Sequence, residues 1–263
     1  MLLAIDAGNT NVVLGLYEGS DLVADWRIHT PATWTGDEVA ILLTQLFELR
    51  GLQLASVDGV VIASVVPNLT PALEEAAGGH LKVVPIVVGP GIRTGIRIAI
   101  ENPKEVGADR IANTLAAYRK YGGPAVVIDL GTAVTYDAIS ATGDYLGGAI
   151  APGLGVSLDA LLANTAKLVR VELVTPDQVI GRSTVAAIQS GLLWGFVGQI
   201  EGMVQRMKAE LGGTAHVIAT GGQAGMVAGL TRVIDNVDAQ LTLEGLRLIY
   251  LQNLPGSPET ARD

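Results

Sequence analysis

The chain opens with four consecutive apolar residues, Leu2 to Ile5, and then meets a carboxylate at Asp6. A short apolar run that ends at a polar residue predicts a buried β-strand. Gly8 and the small polar residues after it predict a turn, whose backbone N–H groups and hydroxyls could face a phosphate. A second apolar run follows and ends in a hairpin signal at Tyr17 to Asp21, so we expect paired strands here.

The same arrangement occurs a second time, from Ala125 to Asp137. There an apolar strand again ends in an aspartate, Asp129, which is followed by one residue, a glycine, a hydroxyl residue and another β-rich run. This copy also ends in a hairpin signal, at Ala141 to Asp144. A single copy could be an ordinary hairpin turn, but two copies indicate a chain of two like halves.

Periodic apolar positions predict helices between the strands. A capping-box pattern at Thr35 to Glu38 begins one helix, a long helix is expected from Ser183 to Leu211, and a closing helix from Thr242 to Gln252. Helices that alternate with strands are typical of an α/β protein. We therefore predict an α/β fold whose halves cover residues 1–118 and 119–263.

Composition narrows the classes of function. Of the 263 residues, 49% are hydrophobic and 16% are charged, which excludes general disorder. The net charge of −9 disfavours nucleic-acid and anionic-membrane partners, because phosphate-rich surfaces demand clustered Lys and Arg. The absence of cysteine excludes disulfides and thiolate chemistry. The N-terminal apolar run is too short for a signal peptide, so we expect a cytoplasmic protein.

The first candidate for chemistry is a carboxylate beside a glycine turn. Mg²⁺ keeps several of its waters and is held by one or two carboxylates plus substrate phosphates. Asp6 beside its turn therefore predicts a nucleotide site with a hydrated metal ion. The chain has neither a Walker loop nor a dinucleotide fingerprint, since Gly153-Leu154-Gly155 lacks the third glycine of the latter.

The second candidate lies at the start of a predicted helix that runs to about Tyr121. Asp109 and Arg110 would occupy its first turn. An aspartate there stabilises the helix by about a few tenths of a kcal/mol through its interaction with the helix dipole. An arginine there is commonly a solvated surface cation. Spacing alone favours these structural roles over catalytic ones.

Four motifs occur in order along the chain: Asp6-x-Gly8-Asn9-Thr10, Gly107-Ala108-Asp109-Arg110, Asp129-x-Gly131-Thr132 and Ala219-Thr220-Gly221-Gly222. Together they resemble type III pantothenate kinase, the family also called CoaX, from Met1 to about Asn253. The paired turns resemble the wider superfamily of acetate kinase, sugar kinases, Hsp70 and actin. The resemblance implies two duplicated actin-like (ribonuclease H-like) domains with an ATP cleft between them. It also implies ATP-dependent phosphorylation of pantothenate to 4′-phosphopantothenate, the first step of coenzyme A biosynthesis.

The resemblance also implies roles for single positions. Asp109 matches the general base, Asp129 matches a ligand of the monovalent cation K⁺ or NH₄⁺, and Asp6 would hold Mg²⁺ or another divalent cation through water. The positions that match ATP-binding residues are Asp6, Gly8, Asn9, Thr10, Asn11, Val12, Val13, Gly131, Thr132, Thr220, Gly221 and Gly222. The positions that match pantothenate-binding residues are Gly107, Ala108, Asp109, Arg110 and Thr184.

These assignments are chemically consistent. Pantothenate has a carboxylate and a primary hydroxyl, so its pocket needs a cation and a base, which Arg110 and Asp109 would supply. In phosphoryl transfer the protein mostly positions the substrates and offsets charge, while a carboxylate accepts the attacking hydroxyl's proton. The resemblance and the apolar, glycine-rich helix from Ser183 to Leu211 further predict a homodimer, in which Thr184 approaches the neighbouring chain's pocket near Arg110.

Two other functions stay open on the sequence. A kinase of the same superfamily could use the same ATP site with another small hydroxyl or carboxylate acceptor, and the segment Gly107 to Arg110 argues against it. A non-enzymatic transcriptional accessory factor could share the fold, and an intact Asp109 argues against that.

Overall fold

The computed structural model describes residues 1–165 and 170–255. From Asn253 onward the sequence matches no family motif and predicts a frayed polar tail, which lies outside the described residues from position 256. The chain divides into two compact units, one formed by Met1–Lys120 with the segment from Gln240 onward, the other by Tyr121–Ala239.

The first unit is built on a five-stranded mixed sheet. Its strands are β1 (Leu2–Ala7), β2 (Asn11–Glu18), β3 (Asp21–His29), β4 (Gly59–Ser64) and β5 (Ile86–Val87). They lie in the order β3-β2-β1-β4-β5. The strands β1 to β3 form an antiparallel meander, whereas β4 runs parallel to both β1 and β5.

The second unit repeats this sheet. Its strands are β6 (Ala125–Leu130), β7 (Ala133–Ile139), β8 (Tyr145–Pro152), β9 (His216–Thr220) and β10 (Asn236–Val237). They lie in the order β10-β9-β6-β7-β8, again with an antiparallel meander followed by parallel strands. The two sheets therefore have the same topology, which confirms the predicted duplication and the α/β class.

Seven α-helices are described in these ranges of the chain. They are α1 (Gly36–Glu48), α2 (Thr70–Glu75), α3 (Ala108–Tyr121), α4 (Leu154–Ala163), α5 (Thr184–Glu210), α6 (Ala224–Ala228) and α7 (Leu241–Gln252). The capping box predicted for α1 is present, with Glu38 N–H donating to Thr35 Oγ1 and Thr35 N–H donating to Glu38 Oε2. None of the described helices is long and apolar enough to cross a membrane.

Alternation along β1 divides the first unit's core between the two faces of its sheet. Leu3 and Ile5 pack in a cluster with residues of α1 and α2, including Phe47. Leu2 and Ala4 pack in a second cluster with residues of α3 and α7. Because successive side chains of a strand point to opposite faces, an uninterrupted apolar run is what a sheet covered on both sides requires.

The position of α7 differs from the predicted division of the chain. The sequence assigned it to the half 119–263, whereas in the structure it packs on the first unit's sheet through Leu243, Leu246 and Ile249. Thr242 donates its hydroxyl to Asn113 Oδ1 of α3 at 2.7 Å. Periodicity predicts that this helix has an apolar face, but it carries no information on which sheet that face covers.

The second unit's core lies between its sheet and α5. Val126 and Ile128 of β6 pack in a cluster with Leu193, Phe196 and Ile200 of α5. This helix has 27 residues and begins after Ser183, whose hydroxyl accepts the Ala186 N–H at 3.1 Å. Its bounds agree with the predicted span to within one residue at each end.

Candidate active site

The two predicted aspartates occupy equivalent positions in the two sheets. Asp6 is the penultimate residue of β1 and Asp129 is the penultimate residue of β6, and both are half-buried. Both strands are central, since each has an antiparallel neighbour on one side and a parallel neighbour on the other. Each carboxylate therefore stands at the end of the central strand, just before a turn.

The first turn, Gly8 to Asn11, is closed by its own backbone and held from β3. Gly8 N–H donates to the Asn11 carbonyl at 3.0 Å. Thr30, one residue beyond β3, donates its hydroxyl to the Gly8 carbonyl at 2.5 Å and its N–H to the Thr10 carbonyl at 3.0 Å. Asn9 and Thr10 are exposed. The turn thus presents two polar residues on a backbone fixed by hydrogen bonds.

The second turn, Gly131 to Ala133, is one residue shorter and is held differently. Gly131 N–H donates to the Ala133 carbonyl at 3.1 Å, and Gly153 N–H, just before α4, donates to the Thr132 carbonyl at 3.0 Å. A Cβ on Gly153 would overlap the carbonyl oxygens of both Gly131 and Thr132. Close approach of the Gly153 backbone therefore supports this turn, and only glycine permits it.

The Thr220-Gly221-Gly222 segment packs directly on the second turn. Gly221 has a positive φ of 89°, and a Cβ there would lie 2.5 Å from Asp129 Oδ1 and 2.7 Å from Leu130 N. Gln223 N–H donates to the Leu130 carbonyl at 3.1 Å. The structure thus brings together two motifs that are about ninety residues apart, since β9 pairs with β6 and Thr220 lies beside Asp129.

Asp109 lies in the first turn of α3 and is half-buried. Its Oδ1 atom is buried and has no hydrogen-bond partner among the described residues. A Cβ on Gly107 would collide with that same oxygen, so the absence of a side chain at Gly107 makes room for the carboxylate. An aspartate that served only the helix dipole would be expected to keep its oxygens in solvent or on backbone N–H groups.

Packing sets Asp109 on the same side of the first sheet as Asp6. Ala108, next to Asp109, belongs to one apolar cluster with Ala63 of β4, and Val13 of β2 packs against that cluster. Val13 and Ala63 are the residues that face Asp6 across the two strand pairs. Residues that face each other in a sheet share a side, so the two carboxylates flank one cluster.

The sequence matches a known protein family over most of its length. A family model described as type III pantothenate kinase matches residues 2–206. The chain belongs to the type III pantothenate kinase family. It is therefore a transferase, a kinase that phosphorylates pantothenate in the biosynthesis of coenzyme A.

A curated relative supports the same family over nearly the whole chain. The type III pantothenate kinase of Moorella thermoacetica is 55% identical over 253 residues, which cover 96% of this chain and 100% of the relative. The matched length far exceeds that of the four motifs, so family membership does not rest on the motifs alone.

Two solved structures show the fold. A protein described as a Baf family transcriptional activator, from Campylobacter jejuni, has a TM-score of 0.60 at 21% identity and covers 95% of this chain and 98% of its own. An inorganic polyphosphate/ATP-glucomannokinase from Arthrobacter sp. strain KM has a TM-score of 0.52 at 17% identity. The match covers 95% of this chain and 98% of the glucomannokinase. The architecture is thus the actin-like fold of sugar kinases.

Thr30 and Gly153, which support the two turns, cannot be recognised from the sequence. In the sequence Gly153 forms part of an incomplete dinucleotide fingerprint, and Thr30 belongs to no motif. A glycine before a helix and a threonine after a strand are common local patterns, so neither gave a usable signal. Their roles arise from strands and helices that meet across the fold.

Thr184, the remaining predicted site residue, begins α5 and is exposed. Among the described residues no hydrogen bond joins it to the Asp129 turn. The described residues also contain no group of three or more His, Asp or Glu able to hold a metal ion. A cation held by the described residues would therefore have fewer than three His, Asp or Glu ligands, and substrate oxygens or water would complete its coordination.

Proposed function

We propose that this pantothenate kinase transfers the terminal phosphoryl group of ATP to the primary hydroxyl of pantothenate with Asp109 as general base. The observation that carries this is the Asp109 carboxylate, whose Oδ1 is buried beneath Gly107 without a hydrogen-bond donor among the described residues. A buried acceptor without a donor is unfavourable by about 1–3 kcal/mol. A substrate hydroxyl would supply the donor, and the carboxylate would accept its proton as it attacks phosphorus.

ATP would be bound by both glycine turns. Asn9 and Thr10 of the first turn and Thr132 of the second are exposed, and their amide and hydroxyl groups are of the kind that bind phosphate oxygens. Asp6 fits a divalent cation that is bound mainly by phosphates and water, because it offers one carboxylate at a strand end rather than a complete protein cage. The Mg²⁺ ion would offset negative charge on the phosphates.

The monovalent cation K⁺ or NH₄⁺ would be bound at Asp129. Its carboxylate is packed against Gly221, which fixes the position of Oδ1. A cation at this carboxylate would offset phosphate charge in a chain that has only 17 Lys and Arg residues. Activity should therefore depend on K⁺, and equal rates in K⁺ and in a bulky organic cation at matched ionic strength would contradict the assignment.

The working unit would be a homodimer in the cytoplasm. Gly191, Gly195 and Gly198 lie on the exposed side of α5, and Thr184 is exposed at its first position. A two-fold contact pairs the same surface of both chains, so this face could bring Thr184 to the partner's pocket. Light scattering of the wild type and of Gly198→Leu would test it, and a wild type that is monomeric at micromolar concentration would refute it. Cell fractionation would test the location.

The experiment for the base compares two aspartates that lie in the first turn of a helix, the half-buried Asp109 and the exposed Asp37. Asp109→Asn should lower kcat by ~10²- to 10⁴-fold in a coupled assay with ATP, Mg²⁺ and pantothenate. Asp37→Asn is the matched control, since Asp37 also lies in the first turn of a helix. If Asp109 served only the helix dipole, both variants would retain turnover within a few-fold of the wild type. A panel of sugars and acetate in the same assay tests the acceptor.

A further inference from the structure

A glycine-rich segment, Gly89 to Arg97, follows β5 in the first unit. Within the described chain none of its residues belongs to a helix or a strand. Ile92 and Thr94 of this segment line a cavity of about 270 Å³ together with Ala108, the residue before Asp109. The segment therefore borders the place where the acceptor hydroxyl would meet Asp109. Without helix or strand hydrogen bonds, it keeps one position only if other groups bind its backbone.

Asn253, the residue directly after α7, binds the backbone of this segment. Its side-chain oxygen accepts the Arg93 N–H at 3.1 Å, and its side-chain amide donates to the Arg93 carbonyl at 2.8 Å. The same amide donates to the Ile249 carbonyl of α7 at 2.8 Å. One side chain thus binds both backbone polar groups of Arg93 and is itself bound to the helix. The tail that the sequence predicts to be frayed from Asn253 therefore begins with a residue that is held in place.

Gln252, the last residue of α7, makes a second contact with the segment. A Cβ on Gly95 would overlap the side-chain amide of Gln252, so this amide packs directly on the Gly95 backbone. Gly95 also has a positive φ of 71°, a conformation that favours glycine. The helix that carries both contacts is fixed in the core, since Leu246 and Ile249 are fully buried. The end of α7 therefore connects the segment to the rigid part of the first unit.

We propose that Asn253 is a positioning residue for the reaction: it holds the segment from Gly89 to Arg97 in the conformation that receives the acceptor. The proposal rests on the proposed function, in which the acceptor hydroxyl meets Asp109. Without the hydrogen bonds to Arg93 the segment would populate other conformations, and the apparent affinity for pantothenate would fall by the fraction of protein that is no longer competent to bind. The chemical step would be unchanged, because Asn253 contacts neither Asp109 nor the two glycine turns.

The simpler role for Asn253 is that of a helix cap, and the chain offers a matched control for it. Asn164 directly follows α4, as Asn253 directly follows α7. Its side-chain amide donates to the Ala160 carbonyl, four residues earlier, at 2.8 Å. Within the described residues the Asn164 side chain binds no other segment. Replacing either asparagine by alanine thus removes the same capping hydrogen bond, and only Asn253→Ala also releases Arg93.

The test combines steady-state kinetics with hydrogen exchange of the full chain. Asn253→Ala should raise the KM for pantothenate ~5-fold or more, because each lost hydrogen bond corresponds to ~2- to 10-fold in an equilibrium constant. The kcat and the KM for ATP should stay within about twofold of the wild type, since the chemical step and the ATP site are untouched. Without substrate, exchange of the Arg93 amide should become ~5-fold faster or more. Asn164→Ala should change none of these quantities.

A second variant disturbs the same contact from the other side. Gly95→Ala should displace the Gln252 amide and likewise raise the KM for pantothenate, with the end of α7 unaltered. Unchanged exchange at Arg93 in Asn253→Ala, or faster exchange with an unchanged KM for pantothenate, would overturn the positioning role. Equal effects of Asn253→Ala and Asn164→Ala would reduce it to helix capping. Full turnover in Asp109→Asn would instead overturn the proposed function, and it would leave the exchange result intact.

Discussion

The two glycine turns have the same sequence pattern but are stabilised by different contacts. The first turn is stabilised by a side chain, because the Thr30 hydroxyl donates a hydrogen bond to the Gly8 carbonyl. In the second, the backbone of Gly153 approaches so closely that no side chain would fit, and Gly221 packs on the adjacent strand end in the same way. A duplicated motif can therefore keep its aspartate and its glycine while the parts that fix the turn diverge.

The comparison also shows which glycine is constrained. A Cβ on Gly131, the glycine of the second motif, would meet its nearest atom at 3.6 Å, which is an ordinary contact. A Cβ on Gly153, outside the motif, would overlap two carbonyl oxygens. The protein fold thus restricts Gly153, whereas Gly131 is free for a role towards a ligand.

The largest expected effect separates the two aspartates. Asp6→Asn and Asp129→Asn should each lower kcat/KM by ~10²-fold or more, the usual result of removing a group that stabilises transition-state charge. Asp6→Asn should raise the Mg²⁺ concentration needed for half-maximal rate, whereas Asp129→Asn should abolish activation by K⁺. Rates measured while one cation is varied at a fixed level of the other check this. Identical cation responses in both variants would show that the turns are functionally equivalent.

The next prediction compares the loss of stability caused by alanine substitutions at three glycines. Gly153→Ala should destabilise the fold by about 1–3 kcal/mol, because extra volume against backbone atoms forces a shift. Gly8→Ala should cost less, since its Cβ would lie 3.1 Å from the Asn11 carbonyl oxygen, and Gly131→Ala least. Denaturant unfolding of the three variants measures the order. A Gly131→Ala protein as unstable as Gly153→Ala would contradict it.

A smaller effect is expected at Thr30. Thr30→Val keeps the shape but removes the donor to the Gly8 carbonyl, so we expect a loss of about 1 kcal/mol and a few-fold higher KM for ATP. Thr44→Val serves as a control, because its hydroxyl donates to Ala40 inside α1, away from the turn. A KM for ATP that changes equally in both variants would argue against a specific role for Thr30.

The smallest effect concerns the strand after each turn. Tyr136 faces Ile128 where Leu14 faces Ile5 in the first unit. Its hydroxyl is buried without a hydrogen-bond partner among the described residues, and burial raises the pKa of Tyr136 from 10.0 to about 12. Tyr136→Phe should therefore leave stability at neutral pH unchanged or higher by less than ~1 kcal/mol, because an unsatisfied group is removed.

The same variant has a pH signature. The folded state keeps the Tyr136 proton up to a pH of about 12, whereas the unfolded chain releases it near 10.0. Stability is thus complete below pH 10 and declines as the pH rises towards 12. Tyr136→Phe should lack this part of the alkaline decline in unfolding experiments. Superimposable profiles of variant and wild type would indicate that the hydroxyl is not buried.

Local signals in the sequence predicted much of this molecule. The capping box of α1 depends on residues within one turn, so the sequence specifies it directly. The motifs likewise predicted that Asp6 and Asp129 end buried strands, whereas the central position of these strands comes from the structure. Roles that depend on tertiary contacts could not be predicted. Examples are Gly153, which packs against the second turn, and Gly107, which makes room for the Asp109 carboxylate. A glycine in a sequence does not indicate which residue will pack against it.

The packing of α7 has a consequence for how the chain folds as it is synthesised. The second unit is formed by one continuous segment, Tyr121–Ala239, and has all its parts once that segment has left the ribosome. The first unit cannot be completed until α7 is synthesised, because this helix belongs to it. Arg247 of α7, for example, donates to the Gly19 carbonyl, which lies 228 residues earlier in the sequence. Until α7 is synthesised, the apolar cluster that it completes stays partly exposed. This cluster includes Leu2 and Ala4 of β1 and Leu115 of α3. We expect nascent chains that stop before Gln240 to hold the later half folded and the earlier half exposed to chaperones and proteases.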